Sequence, residues 1–447
     1  MTRPVLSRMP APPADVLIVR AHVLDPREGH DGPADVFVRH GEIAELGEPG
    51  ALSAPEGVET VDAEGADLFP AFVDPHVHLR VPGQEHKEDL ETGTRAAAAG
   101  GFCAVVGMPN TSPPIDGASV LRSVHELAVA HARVPVGFLA AATVGQRGES
   151  LTEMAELRDA GALGFTDDGR PIASANVLRR ALQYQKLCGG VVALHEEDPT
   201  LSGEGVMHEG PISALLGLAG IPSISESTMV ARDAAIAAYE QGRIHVQHLS
   251  AAESVHEVAA AKAAGVRLTA EVTPHHLTLT DEDVRGLDTA LKFNPPARAQ
   301  SDRAALIAGL GDGTIDCIAT DHAPHAPHEK EVPFEEAPMG TTGLETAFAA
   351  LNTFLVEPGV VPLALVVEKL TSGATVLDLP VPRIAAGEPA NLALVGLGRT
   401  WQPVEAGYES RSENCCFGER ELRGRVLMTV AAGAIAYRER SFALSPA

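Results

Sequence analysis

The 447-residue sequence is poor in aromatic residues, which make up 4% with a single tryptophan, and in positive charge, with 34 Lys and Arg against 60 Asp and Glu. A net charge of −26 disfavours nonspecific binding to nucleic acid or to an anionic membrane surface, so neither partner is expected. Cysteine is scarce too. Cys103, Cys188, Cys317, Cys415 and Cys416 are odd in number and lack CxxC spacing, which speaks against a disulfide framework and for a reducing cytoplasm. No apolar run reaches the ~20 residues of a membrane span; the stretch 344 to 367 is broken by Glu345, Glu357, Pro358 and Pro362. The first fifteen residues hold prolines and no continuous apolar segment, a poor secretory signal, and residues 1–13 are expected to form a mobile extension. There is no low-complexity tail and no repeat of fixed period. What is present, 45% hydrophobic residues with many alanines and glycines, is the composition of a soluble globular enzyme.

Residues 14–65 alternate apolar and polar side chains in short runs punctuated by Gly, Pro and Asp, the pattern of a small β module. From 66 the pattern changes to short apolar strands, each followed by a polar tip and a stretch of helical periodicity. Eight strands are expected, at 69–74, 102–107, 134–140, 162–165, 191–194, 243–247, 267–272 and 315–320. Ser150 with Glu153 and Ser250 with Glu253 read as capping boxes, and Gly265 marks a helix end. Eight strands alternating with helices predict a parallel (β/α)8 barrel over 66–370. Strand patterns resume in 371–447, so both chain ends are expected to build one β-sandwich beside the barrel.

Chemistry in such barrels sits at the C-terminal strand ends. Those positions hold His76, His78 and Arg80 after the first strand, Asn110 after the second and the pair Asp167 and Asp168 after the fourth. His195 follows the fifth strand, His248 the sixth, and Asp321 and His325 the eighth. A lone histidine there is more often structural. Four histidines and two aspartate positions, each in the same place relative to its own strand, predict convergence on one metal site. In an extended chain His76 and His78, two residues apart, share a face. His125, His131 and His256 on helices and His86, His208 and His328 in loops read as solvated or packing residues, and His245, at odd spacing from His248, should face away from it. His275 and His276 are candidates for a supporting role.

The segments DPHVHLR, KEDLETGTRAAAAGGF, MPNTSPP, FTDDG, AEVTPHHLTLTD, FNPPAR and TDHAPH resemble the cyclic amidohydrolases, and closely the class I dihydroorotases of bacterial pyrimidine synthesis. The run SRSENCCFGERELRGRVLMTVAAGAIAY resembles that family's closing strands, and the resemblance spans the chain from about residue 14. It implies two zinc ions, one held by His76, His78 and Asp321 and one by His195 and His248, bridged by Asp168 and a water or hydroxide. Spacing alone leaves Asp167 and Asp168 open; the family register selects Asp168. Many relatives bridge with a carboxylated lysine, but no lysine lies between Lys87 and Lys186.

The resemblance further implies that Asp321 serves as base and then acid. Arg80, Asn110 and His325 would hold the carboxylate of dihydroorotate, Asn294 would touch the ring, and the backbone at Met339 and Gly340 would complete the pocket. An arginine with its planar fork favours an acidic substrate over a neutral ring. The implied reaction interconverts N-carbamoyl-L-aspartate and L-dihydroorotate, in a homodimer that could associate with aspartate transcarbamoylase. The alternatives are a hydantoinase, dihydropyrimidinase or allantoinase, or an inactive homologue kept as a structural partner of the transcarbamoylase. One departure stands out: Val81 replaces the glutamate relatives usually carry after the substrate arginine, while Gly107 and Met339 also differ without evident consequence.

Overall fold

A computed structural model describes residues 5–443. The apolar residues of the first module form β1 (Val16–Asp25), β2 (His30–Arg39), β3 (Glu42–Gly47) and β4 (Glu59–Asp62), followed by β5 (Asp67–Pro70). Next come the barrel strands β6 (Phe72–Val77), β7 (Phe102–Gly107), β8 (Val136–Phe138), β9 (Gly164–Phe165) and β10 (Val191–Leu194). A two-strand excursion, β11 (Met207–His208) and β12 (Gly220–Ile221), precedes β13 (Arg243–Val246), β14 (Arg267–Val272) and β15 (Cys317–Ile318). The chain ends with β16 (Leu392–Trp401), β17 (Leu422–Ala431) and β18 (Ala434–Arg438).

The eight barrel strands lie where the eight apolar runs predict them, although four, β8, β9, β13 and β15, are shorter. Strands β6 to β8 pair in parallel, as do β9, β10, β13, β14 and β15. Two parallel bridges join the sets, Ala140 to Phe165 on one side and Val77 to His322 on the other, and so close the ring. Their burial on both faces explains the continuous apolar runs. The expected first strand, 69–74, divides at Ala71: β5 belongs to the β domain, pairing with β1 and β16, and only β6 enters the barrel.

Both chain ends build one eight-stranded sheet, ordered β18-β17-β16-β5-β1-β2-β3 with β4 on β1. Val16, Ile18, Val38, Ile43, Leu392 and Met428, from strands of both ends, share one apolar cluster, so neither terminal segment can bury its core without the other. Phe348 packs its ring on Phe69 of β5 and Phe72 of β6, at 5.5 and 5.7 Å, where the β domain meets the barrel. With 12 phenylalanines in the chain, these three are concentrated at one seam; burying each contributes ~1.5–3 kcal/mol.

Two local expectations fail. The helices after Ser150 and Ser250 begin at Met154 and Ala252 without side-chain caps. Ser250 is instead taken by Glu226, and its Oγ accepts from Arg298 at 2.8 Å; tertiary partners have outcompeted the local cap. A side-chain capping box does open α1 (Leu90–Ala99), where Asp89 accepts from the Thr92 amide at 2.8 Å. The expected mobile extension is also corrected. Residues 1–4 lie outside the described residues, but Ser7 makes two backbone hydrogen bonds to Val136 of β8, and its hydroxyl meets His125 at 3.0 Å. Among the described residues no helix is long and apolar enough to cross a membrane.

Candidate active site

The ends of β6, β9, β10, β13 and β15 converge, and the carboxylate of Asp168 lies at their centre. Its Oδ2 faces His76 Nε2 at 3.5 Å and His78 Nε2 at 3.4 Å, while its Oδ1 faces His248 Nε2 at 3.5 Å and His195 Nδ1 at 3.8 Å. Asp321 Oδ1 sits 2.9 Å from His78 Nε2 and 3.4 Å from His76 Nε2. One carboxylate thus presents one oxygen to each histidine pair. Asp167 points elsewhere, accepting from the Thr143 amide at 3.0 Å and from its hydroxyl, so the structure separates the two aspartates that spacing leaves open.

The donor set fits metal binding. His76 Nε2 is buried with no hydrogen-bond partner, and its other nitrogen, Nδ1, meets Glu271 Oε1 at 2.6 Å. A proton held on Nδ1 by that carboxylate leaves the Nε2 lone pair facing the cluster. His78 repeats the arrangement, with Nδ1 2.9 Å from Asn110 Oδ1. His195 is turned the other way round: Nδ1 faces the cluster and Nε2 faces Glu197 at 3.5 Å. Two groups, His76–His78–Asp168 and Asp168–His195–His248, bring their donor atoms within 4.8 Å of one another, and imidazole plus carboxylate is a donor set suited to zinc.

Burial raises the Asp168 and Asp321 carboxyls, but His76 and its neighbouring histidines outweigh it and hold both below the ordinary carboxylate range. His76 moves the opposite way; burial opposes its charge, yet Asp168, Glu271 and Asp321 raise its pKa. Backbone geometry supports the convergence. Arg80, His248 and Asp321 all take positive φ, at 59°, 33° and 45°, a strained conformation that the surrounding packing must impose.

The expected substrate residues Arg80, Asn110, Asn294, His325, Met339 and Gly340 line one cavity of about 280 Å³ with His78, Asp168, His195, His248 and Asp321; His76 lies buried in the cluster. Arg80 is buried and donates from Nε to the Pro324 carbonyl at 3.1 Å. Burial pulls its pKa down to about 10, which leaves it charged at neutral pH. His325 contacts the Met339 carbonyl through Nε2 at 3.0 Å, and burial beside Arg80 lowers its pKa to about 3. Asn294 donates to Glu197 at 2.6 Å. Gly340 takes φ 144°, and a side chain there would begin 2.8 Å from the Ala323 carbonyl. A larger groove, about 680 Å³, lies between α1 and the β domain near Trp401 and Tyr437, away from the histidines.

Sequence reasoning missed Glu271 and Glu197. Glu271 also meets His245 Nε2 at 3.0 Å and the His248 amide at 3.2 Å, and the histidine pair lowers its pKa to about 2 despite burial. Its signal was a carboxylate inside a buried strand, which is costly unless partnered. His245 therefore does not face away from the site; the strand ends at Val246 and the positive φ of His248 breaks the alternation on which that expectation rested. His276 bonds to Thr273 and to the Pro295 carbonyl, both at 2.8 Å, while His275 packs on Phe293 at 4.4 Å, so both support the loop that carries Asn294. His125 and His208 are buried and His86 stacks with His328, all outside the cluster.

Comparison with known proteins places these features in a family. A family model described as dihydro-orotase-like matches residues 65–254, and one described as the amidohydrolase family matches 231–435. The dihydroorotase of Geobacter sp. strain M21 is 44% identical over 425 residues, covering 95% of this chain and 99% of that protein. The dihydroorotase of Pelotomaculum thermopropionicum is 45% identical over 427 residues, covering 95% and 99%. Among solved structures, the L-hydantoinase of Arthrobacter aurescens superposes with a TM-score of 0.83 at 22% identity over 94% of this chain and 96% of that one. A dihydropyrimidinase from Brevibacillus agri gives 0.80 at 23% over 95% of each. At such identities the structural likeness shows the shared fold, a barrel with a β domain.

Proposed function

This chain belongs to the dihydroorotase family of amidohydrolases, and from that premise we propose that its cavity interconverts N-carbamoyl-L-aspartate and L-dihydroorotate by opening and closing a cyclic amide. The observation that carries the substrate assignment is the position of Arg80, a buried cation in the wall of the same cavity as the histidine and aspartate cluster. A dihydropyrimidine without a carboxylate would leave that charge unmatched, whereas a substrate carboxylate can take both arms of its fork.

In this reading His76, His78 and Asp321 would hold one zinc ion and His195 and His248 a second, with Asp168 offering an oxygen to each. When bound, such metal would lower the pKa of a coordinated water toward ~7 and polarise the amide carbonyl. Asp321, ionised because the histidines hold its pKa down, takes a proton as water adds to the ring carbonyl carbon. It returns that proton to the ring nitrogen as the C–N bond breaks; cyclisation runs the same transfers backwards. Arg80, Asn110 and His325 hold the substrate carboxylate, and Asn294 with the backbone at Met339 and Gly340 fixes the ring. Asn110 has a second duty, since its contact with His78 links the substrate wall to the metal ligands.

The donor set is complete, which counts against an inactive homologue. We assign the domains as a β domain from 14–65 and from 371 onward around a barrel of 66–370, with the correction that β5 (Asp67–Pro70), which pairs with β1 and β16, belongs to the β domain and the barrel begins at β6. A cytoplasmic homodimer, able to dock on aspartate transcarbamoylase, follows from the family resemblance. The deciding experiment compares turnover of L-dihydroorotate, dihydrouracil, hydantoin and allantoin. Dihydroorotate is expected to dominate, and a preference for any neutral ring overturns the assignment.

A further inference from the structure

The run from Ser410 to Phe417 opens the segment that resembles the family's closing strands, and it precedes the first of those strands, β17. It follows β16 out of the β domain and crosses back over the barrel mouth before β17 begins. Its first residues are tied down, with the amides of Glu409 and Ser410 donating to Glu345 and the Ser412 hydroxyl donating to the Lys87 carbonyl at 2.6 Å. Asn414 then reaches the loops of the substrate cavity. Its Oδ1 accepts from the His325 amide at 2.9 Å, and its Nδ2 donates to the carbonyls of Ala323 at 3.2 Å and Gly340 at 3.0 Å. Its own carbonyl accepts from the Thr342 amide at 3.1 Å and the Thr341 hydroxyl at 3.0 Å.

We propose that Asn414 is a positioning residue for the substrate, fixing the distance between the loop that carries His325 and the loop that carries Gly340. Only a side-chain amide offers one acceptor and two donors from one planar group. An aspartate of the same shape would turn acceptor oxygens toward two carbonyls. The loops meet closely at this point, because a Cβ on Gly340 would lie 2.9 Å from the His325 ring, so a small opening there alters both walls together. None of the Asn414 hydrogen bonds reaches a residue of the metal cluster. The residue therefore acts on substrate binding and leaves the metal ligands as they are.

This inference rests on the reading that Arg80, His325 and the Gly340 backbone hold dihydroorotate, and the test separates the two. KM, kcat and zinc per chain are measured for the metal-loaded full chain and its Asn414→Asp and Asn414→Ala variants with L-dihydroorotate. Leaving the Ala323 and Gly340 carbonyls without a donor in both variants, and the His325 amide without an acceptor in the alanine variant, should raise KM about ten- to hundredfold, with kcat changed less than about threefold and zinc unchanged. A KM within twofold of the parent for both variants, or a proportional fall of kcat and zinc, overturns the proposal. Should neither variant fold, Thr341→Val removes the hydroxyl that donates to the Asn414 carbonyl and accepts from the Cys416 amide, the two backbone ties that hold Asn414 over these loops; a KM raised about two- to fivefold supports the proposal and an unchanged KM overturns it. A parent enzyme that ignores dihydroorotate defeats the substrate reading itself.

Discussion

His76 and Arg80 lie four residues apart at the end of one strand, yet different parts of the chain hold them. His76 is fixed by Glu271, on the barrel strand β14, and looks onto Asp168 and Asp321 from two further strand ends. Arg80 has already left its strand with positive φ, and its Nε leans on the carbonyl of Pro324, in a loop that Asn414 holds from the far end of the sequence. The metal side of the mouth is thus supported by the barrel itself. The substrate side is supported by loops and by a segment returning from the β domain. Changes on the first side should register in turnover and metal content, and changes on the second in KM.

The largest effect should come from Asp321→Asn, which keeps the shape and much of the metal affinity but removes the proton carrier. A loss of kcat of roughly 10²- to 10⁴-fold with zinc largely retained is expected in steady-state assays; near-normal kcat rules the role out. Glu271→Gln probes the support behind His76. Zinc affinity should fall about 10- to 100-fold in a chelator competition, with KM little changed among molecules that still carry metal. Were KM to move instead, the division into two sides would fail. Arg80→Lys replaces the fork by a point charge and should raise KM about tenfold while leaving zinc in place; an unchanged KM removes the carboxylate contact.

The smallest effect concerns His276, which supports the substrate loop while buried and neutral. Its pKa falls from 6.5 to about 3, chiefly through burial. The unfolded chain binds a proton below pH 6.5 that the folded chain refuses, so the stability linked to this residue is complete above 6.5 and is lost as pH falls toward 3. The slope approaches ~1.4 kcal/mol per pH unit. Urea unfolding between pH 6.5 and 5 should show a shallower slope for His276→Leu than for the parent, whatever the absolute loss; equal slopes contradict the assignment.

The histidine and aspartate cluster was legible in the sequence because strand ends repeat: each of β6, β9, β10, β13 and β15 delivers a histidine or an aspartate at its end or within three residues of it. The eight barrel strands were legible for the same reason. What could not be read was anything that depends on a distant partner. Glu271 looks like an interruption of an apolar strand until His76 and His245 are seen on either side of its carboxylate. Ser250 looks like a helix cap until Glu226 and Arg298 are found holding it. Asn414 sits 89 residues from His325, in a segment that carries no local motif pointing to it. Val81, where the family resemblance leads one to expect a carboxylate beside Arg80, is buried in the barrel core cluster, and Arg80 rests on a loop carbonyl instead.

Asp168 faces both histidine pairs with Arg80 in the wall of the same cavity, the arrangement proposed to hold two zinc ions beside an acidic ring. Its most direct test measures zinc per chain and L-dihydroorotate hydrolysis on the same purified sample. About two zinc ions per chain are expected, with turnover that disappears on chelation and returns with zinc. Protein that holds no zinc and stays inactive after zinc is added would contradict it.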